Sequence, residues 1–483
     1  MKAKVFLAIA AVALLAIGCS QKNETVPEKT KGIAFKTTVK PAATKALTDN
    51  GTSLSATWAV NETIALIYVV NGLEYVNSTA TITEVSSNGV ATIEATLDDR
   101  VTDGTDVELI YPASAVTSNR IPESVITEQD GTLSSARDIR CADGILKVDG
   151  STASLQGGVV MLFQNAICKF TTKDADGAND LNVSELVIKD IYGNPITTVT
   201  PATPTNVLYV TIPETEVDIW FEATVSDKPY IAKAHAKLLP GKFYAPTLKL
   251  ATVGNVIGAD GKFYKRKSDA VAAGTLVSAV IVYLGENTFE NNYTHGLAVS
   301  TCVAGGGTKQ WATTAGPHNA NQYINYINAL QAGESGSALS ADKDNETNFP
   351  AFYNAIHNNI SNAGLKDGCT RNPPYPGASN WFLPSVAQLN QIIKSVNGQT
   401  TDLTTLGNSN LGFRNLDDLV KDATQSTSGL LGSWSGENHL LTSTEYDSSH
   451  CWQYVFVSSS KTGALGYTYK TNYAGYVVAT LAF

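Results

Sequence analysis

Past residue 17 this chain contains no apolar run of the roughly 20 residues that a helix needs to cross a bilayer. It has no long run of lysine or arginine either, and its formal net charge is −10. An acidic chain without a basic stripe offers little to a phosphate backbone, which argues against nucleic acid as a partner. The six cysteines show no CxxC pair and no zinc spacing. The six histidines, His235, His295, His318, His357, His439 and His450, form neither HxxxH nor HExxH. GSWSG at 432–436 carries Trp434 where a nucleophile elbow needs serine. AGGGTK at 304–309 lacks the spacing of a phosphate-binding loop. The sequence therefore predicts a protein that is not an enzyme and holds no cofactor. No internal repeat period runs through it.

What is present begins at the N-terminus. Lys2 and Lys4 precede an apolar run of 13 residues, Val5 to Ile17, and small residues then lead to Cys19. Basic, apolar and small regions in that order make a signal peptide, so residues 1–18 are set outside the fold. The ending AIGC reads as a bacterial lipobox. Cys19 is then the expected lipidation site and mature N-terminus, and the chain is anchored to the outer membrane rather than spanning it. Residues 19–31 are polar, carry Pro27 and read as a flexible tether. The other five cysteines, Cys141, Cys168, Cys302, Cys369 and Cys451, allow at most two disulfides, with buried free thiols as the equal alternative.

The 483 residues are too many for one core. From Gly32 to about Leu250, short alternating segments are separated by turn residues. In TIALIYVVNGLEYV, Ile64 to Val70 reads as a strand, Asn71-Gly72 as a type I′ turn and Leu73 to Val76 as the return. Such strands predict two antiparallel β-sandwiches, at 32–150 and 151–252, divided where KVDGSTASLQGG collects Gly and Ser. Residues 253–483 read as an α+β unit with Trp311, Trp381, Trp434 and Trp452. Helices are expected in YKRKSDAVAAG, NANQYINYINAL, PAFYNAIHNNI and FRNLDDLV. In NWFLPSVAQL, Ser385 caps a helix and Gln388 completes a capping box. Val386, Leu389, Ile393 and Val396 form its buried face, Gly398 ends it, and Trp381 and Phe382 enter the core just before it.

Residues 32–252 resemble the fimbrillin family of Bacteroidales, subunits of lipoprotein-derived pili. The resemblance lies in TWAVNETIALIYV (57–69), LIYPAS (109–114), LFQNAICKF (162–170) and LPGKFYAPTL (239–248). It implies two β-sandwich domains and assembly with other fimbrillin subunits by donor-strand exchange. In that scheme a protease removes an N-terminal strand and a neighbour's C-terminal segment fills the vacancy. An open groove exposes apolar surface and unpaired backbone, and an added strand satisfies both. GIAFKTTV is the expected first strand. The first arginine is Arg100, so Lys40 and Lys45 are the candidate processing sites.

Residues 255–483 resemble the C-type-lectin-like domains at the ends of Bacteroidetes surface proteins, and are similar to the C-terminal domain of the Legionella collagen-like adhesin. The matching pieces are GADGKFY (258–264), NWFLPSVAQL (380–389), LLTSTE (440–445) and VVATLAF (477–483). That fold is shared with formylglycine-generating enzymes, which use reactive cysteines, but nothing around Cys369 or Cys451 suggests a lowered thiol pKa. The two resemblances imply a tip adhesin on a fimbrium at the cell surface, with a free-standing, glycan-binding lipoprotein as the alternative. The last strand is expected to pair with Gly261 to Arg266 and so to stay within its own domain.

Candidate ligand-binding residues come from two loops that combine aromatic faces with amides, NPPYPGASNW and GSWSGENHLL. They are Tyr375, Trp381, Trp434, Glu437 and Asn438, for a glycan or protein ligand. Two acidic loops are the weak calcium candidates: Asp342, Asp344 and Glu346 in one, Asp174, Asp176 and Asp180 in the other. Neither completes a known loop pattern, and solvated acidic turns are the plainer reading.

Overall fold

The computed structural model describes residues 32–41, 48–49, 54–55, 58–133, 139–286, 288–290, 293–319, 321–357, 377–399, 413–426, 430, 437–457 and 462–483. Cys19, Lys45, Cys369, Tyr375 and Trp434 lie outside the described residues. Among the described residues no helix is long and apolar enough to cross a membrane.

The first domain is built from eight strands: β1 (Ile33–Pro41), β2 (Thr63–Val70), β3 (Glu74–Val85), β4 (Ala91–Leu97), β5 (Asp106–Tyr111), β6 (Arg140–Asp149), β7 (Thr152–Leu155) and β8 (Val159–Phe163). Asn71 and Gly72 both take positive φ between β2 and β3, and Leu73 N–H donates to the Val70 carbonyl, as a type I′ turn requires. β1 pairs antiparallel with β4 from Ile33 opposite Leu97 to Val39 opposite Ala91. Its other edge pairs parallel with β7 and then with β8. β7 and β8 in turn pair with β6, so the ladder runs round through β5, β2, β3 and β4 and returns to β1. The result is a closed sheet with two parallel contacts, where an antiparallel sandwich was expected. Alternation reveals which side chains face inward; it does not reveal how the edges end, and closure removes them.

The expected boundary at 150 also moves. β7 and β8 supply Ala153, Leu155, Val159 and Met161 to the first core, so that domain continues to residue 163. Of the Gly and Ser residues that marked the boundary, Gly150 lies in the β6–β7 hairpin turn and Gly157 in the break between β7 and β8, both at positive φ.

The second domain is a sandwich of β9 (Asn165–Asp174), β10 (Glu185–Lys189), β11 (Pro195–Val199), β12 (Val207–Pro213), β13 (Thr215–Val225), β14 (Lys228–Leu238) and β15 (Thr247–Leu250). One sheet has the order β14-β13-β10-β11; in the other, β9 lies between β12 and β15. Phe170, Leu186, Val210, Phe221 and Leu248 meet between them. A segment that precedes β6 in sequence crosses into this domain. Glu128–Gln129 adds a short parallel strand to β11, and the Gln129 amide donates to the Thr211 carbonyl at 2.7 Å while accepting from Thr211 N–H at 2.9 Å.

The third domain holds β16 (Val256–Gly258), β17 (Phe263–Tyr264), β18 (Val277–Leu284), β19 (Gly296–Val299), β20 (Ala304–Gln310), α1 (Val386–Val396), α2 (Phe413–Thr424), β21 (Glu437–Glu445), β22 (His450–Val457), β23 (Thr462–Tyr469), β24 (Ala474–Val477) and β25 (Thr480–Ala482). Short helices cover Lys267–Ala272, Tyr326–Gln331, Gly336–Ala341 and Pro350–Ile356. The two sheets are β17-β16-β18-β19-β25 and β20-β24-β21-β22-β23. At α1 the Ser385 hydroxyl accepts from Gln388 N–H at 3.3 Å, and the Gln388 carbonyl oxygen accepts from Ser385 N–H at 2.8 Å. That is the expected capping box. The Gln388 amide then donates to the Glu290 carboxylate at 2.8 Å, so the cap also ties α1 to the loop after β18.

The final strand corrects an expectation. β25 pairs with β19, Leu297 opposite Ala482 and Val299 opposite Thr480, while β17 forms the far edge of the same sheet. Apolar residues on both faces mark a buried strand without naming its neighbour. Residues 480–483 are fully enclosed within this domain.

The second and third domains meet across a polar and aromatic joint. Lys265 reaches Asp174 at 3.1 Å and Asp176 at 2.9 Å. Lys189 bridges Glu222 at 2.8 Å and Glu286 at 2.9 Å, and His295 Nδ1 lies 2.7 Å from Glu222.

Candidate functional site

Two places in the molecule combine exposure with unusual construction: the seam around β1 and one end of the second sheet of the third domain.

At the seam, Ile33, Phe35 and Val39 point into the first core and Lys36 and Lys40 point out. The ion pair of Lys36 with Glu94, at 2.8 Å, is solvent-exposed and adds little. The strand is therefore held by its two ladders and three apolar side chains. Of the two processing candidates, Lys40 is an exposed residue inside the strand, and the next residue is Pro41. A proline after the scissile bond carries a ring in place of N–H and resists proteases that cut after lysine.

Of the residues chosen from the loops, Trp381 is 3% exposed and packs in a core with Phe352 and Leu383. Asn438 is also buried, in β21, and Glu437 precedes it in that strand. Trp381 and Asn438 offer no open face.

An exposed aromatic cluster lies elsewhere. In the β22–β23 hairpin Trp452 stands opposite Tyr467 and His450 opposite Tyr469. Phe456, Tyr454 and Trp452 line the core on that face, and the same row then emerges as Tyr467 and Tyr469, each 52% exposed. The ring of Tyr446 lies parallel to that of Tyr467, with centroids 4.2 Å apart and planes at 11°. Tyr446 also meets Trp452 edge-on at 5.3 Å. His450 sits between Tyr467 at 5.3 Å and Tyr469 at 4.3 Å. Its Nδ1 lies 2.8 Å from Asp447. Burial pushes the Asp447 pKa up, but the amides of Ser449 and His450 and the His450 ring outweigh it, so the carboxyl lies below its ordinary value.

The neighbouring loop is pinned to this face. The Trp452 indole donates to the Tyr323 carbonyl at 2.8 Å. Glu445, the last residue of LLTSTE, accepts from His318 N–H at 2.6 Å and from the Gln322 amide at 3.3 Å. Lys470 lies 3.2 Å from Glu445, with both side chains fully buried. The same ammonium donates to the carbonyls of Gly316 at 2.9 Å and Ser448 at 3.2 Å. One buried ion pair thus fixes the 316–323 loop and the 446–449 turn, and Asn321, Gln322 and Ile324 are exposed. The loop-based choice passed over these tyrosines because they sit on strands; the signal was the i, i+2 spacing in YTY, which puts two rings on one face.

In the acidic loops Asp174, Asp176, Asp180 and Asp344 are engaged in structure, while Asp342 and Glu346 are exposed. Asp174 accepts from the backbone of Ala178 and Asn179 and, with Asp176, holds Lys265. Asp180 pairs with Lys173, and Asp344 with His357 at 2.9 Å. Among the described residues no three acidic, histidine or cysteine side chains gather as a metal site. Burial pushes the thiols of Cys141 and Cys168 up to about 12 and that of Cys451 further, which keeps them protonated. Cys302 is disulfide-bonded.

No protein-family model and no curated protein matches the chain. Among solved structures it is similar to a fimbrial protein from Bacteroides ovatus, at 13% identity and a TM-score of 0.30, over 94% of this chain and 99% of that one. A fimbrial assembly protein from Parabacteroides distasonis aligns at 10% identity and a TM-score of 0.27, over 44% of this chain and 89% of that one. A minor pilin from Streptococcus agalactiae aligns at 9% identity and a TM-score of 0.20, over 45% of this chain and 96% of that one. Likenesses at these scores carry no assignment of function.

Proposed function

We propose that the chain is a cell-surface fimbrial subunit, lipid-anchored at Cys19 until it is processed, that accepts a donor strand in its first domain and displays its third domain at the tip. The observation that carries this reading is the place of β1. It is the first strand among the described residues, it is flanked by ladders on both edges, and the closed sheet depends on it. Its loss would unseat Ile33, Phe35 and Val39, each stabilising the core by about 1.5–3 kcal/mol, and would leave two rows of unpaired backbone. Only another strand with the same alternation repairs both. β25 supports the terminal position, because it is committed to β19 and could be lent only by opening its own sheet. The completeness of the first domain while β1 stays in place favours one second reading, a free-standing surface lipoprotein.

Immunogold electron microscopy with antibodies to residues 253–483 tests the proposal. Label at filament ends is expected. Regular label along the shaft refutes the tip position, and label on the cell surface without filaments supports the free-standing lipoprotein.

A further inference from the structure

We propose that the outer face of the first domain docks a segment of a partner protein that carries one arginine between apolar residues. The surface lies on β2, β5 and β6, and the inference needs neither the tip position nor the lipid anchor.

The face stays apolar beyond its own cover. On β3 and β4 the exposed positions hold Asn77, Thr79, Glu94 and Thr96, as a solvated sheet face requires. On β2 and β5 the outward row instead holds Ala65, Ile67 and Ile110, and the loop after β5 covers these three with Ala113, Val116 and Ile121. At its far end that loop is tied to β3, where the Asn119 amide donates to the Tyr75 carbonyl at 3.4 Å. Past the loop Tyr75 is 65% exposed and Ile145 42%, and Val69 stands opposite Tyr75 in the β2–β3 ladder. A shallow cavity of about 630 Å³ runs between them, lined also by Asp106, Glu108 and Asp143. An apolar patch that outruns its cover and is rimmed by polar groups marks an interaction site. The loop is a template for the occupant, because it shows that this face accepts a chain segment with branched apolar side chains.

Charge fixes the rest of the occupant. Glu108 stands directly opposite Asp143 in the β5–β6 ladder, and Asp106 stands opposite Ile145. Side chains so placed have Cβ atoms about 4.5–5.5 Å apart, and like charges there destabilise a sheet. Among the described residues neither Glu108 nor Asp143 has an ion-pair partner within 4.0 Å, although Arg120 on the covering loop and Lys147 on β6 are both exposed. Burial against the cavity wall, and then Asp143, hold the Glu108 carboxyl above its ordinary pKa. A cation set between the two carboxylates removes their repulsion and is attracted by both. Arginine suits the place better than lysine: its planar fork offers N–H donors to two carboxylates at once, while its stem lies along an apolar wall. A hydrated metal ion would answer the carboxylates alone and leave Tyr75, Val69 and Ile145 uncovered, so the complementarity is to a polypeptide.

The test passes the purified full chain over immobilised extended peptides that alternate valine and threonine around one central arginine, lysine, citrulline or glutamate, displayed densely because single short contacts are weak. Binding in the order arginine, lysine, citrulline is expected, with none to glutamate, and the arginine signal should fall as salt rises. Glu108→Gln and Asp143→Asn should each weaken binding of the arginine peptide about tenfold, the size of one charge-assisted contact. Each should leave the melting temperature unchanged or higher, because it relieves the facing carboxylates. Ile145→Ser should weaken every peptide that binds by a similar factor, since it removes apolar contact rather than charge. The proposal is overturned by equal binding of the arginine and citrulline peptides, or by binding that survives both carboxylate substitutions. It is overturned equally by a lower melting temperature in either variant, which would tie the carboxylates to the fold, by calcium or magnesium uptake that the same substitutions abolish, or by no binding to any peptide. The assay needs no filament, so its failure leaves the fimbrial reading standing, and absence of filaments leaves this surface standing.

Discussion

The imidazole of His295 lies on the indole of Trp220, centroids 4.1 Å apart and planes at 25°, with the two residues drawn from different domains and both almost fully buried. Phe263 and Phe483 close round the same indole at 6.2 and 6.3 Å, and Lys233 lies 5.2 Å over its ring. The Phe483 carbonyl accepts from the N–H groups of His295 and Gly296, so β25 and the joint share an end. The second and third domains therefore meet through a sealed contact rather than a loose hinge, and several measurements follow from that and from the seam around β1.

His295→Ala should loosen the joint. It deletes the stacked ring and leaves the Glu222 carboxylate with Lys189 as its remaining ion-pair partner. A loss of about 1–3 kcal/mol is expected in chemical denaturation, together with new proteolysis near residues 251–255. An unchanged cleavage pattern would mean that the domains do not depend on this contact.

The pH dependence of the joint has a defined sign. Burial raises the Glu222 pKa, but its bonds to His295 and Lys189 more than reverse this, and the folded pKa lies below the ordinary value. A depressed carboxyl contributes stability above its unfolded pKa, about 4.3, that is lost as pH falls through the folded pKa. Burial lowers the Lys189 pKa, but Glu222 and Glu286 raise it further. A raised lysine contributes stability below its unfolded pKa, about 10.4, that is lost as pH rises through the folded pKa. Melting temperature should thus be flat between those limits and fall on either side, and Glu222→Gln should remove much of the acid-side fall.

Processing should occur after Lys45 rather than Lys40, because the Lys40–Pro41 bond is blocked by the proline ring. Amino-terminal sequencing of filament material should therefore begin at Ala46, and Lys45→Gln should hold the subunit at Cys19. A mature chain that still begins at Cys19 points to the free-standing lipoprotein. Cys19→Ala should abolish metabolic palmitate labelling.

Lys470→Met should unfold the third domain readily. It leaves the fully buried Glu445 carboxylate without its ion-pair partner, at a cost of about 3–5 kcal/mol in denaturant unfolding. Removing both charges together with apolar residues should cost much less; equal losses would place the effect in packing rather than charge.

Much of this architecture was legible beforehand, and the misses share a cause. Ser385 and Gln388 could be read because a cap is local: its partners stand three residues apart. The Asn71-Gly72 hairpin could be read for the same reason. The contacts of β1 with β7 and β8, and of β25 with β19, join residues more than a hundred positions apart, and alternation carries no information about such partners. Trp381 was read as core and also offered as a loop contact, and the core reading holds, whereas Tyr467 was passed over for its strand and proved to be open.

The closed seam has a mechanical side. Seven residues of β1 are paired with β4 on one edge while the other edge is paired with β7 and β8. A pull along the axis of β1 loads all of these rungs at once, in shear, whereas a hairpin pulled from its open end gives way one rung at a time. Resistance to force is governed by the unfolding rate, and rungs that break only together keep that rate low. Any strand seated in the same groove, its own or a neighbour's, would inherit that load path. A bacterium hanging from such a filament in flow would then be held by backbone ladders laid parallel to the tension.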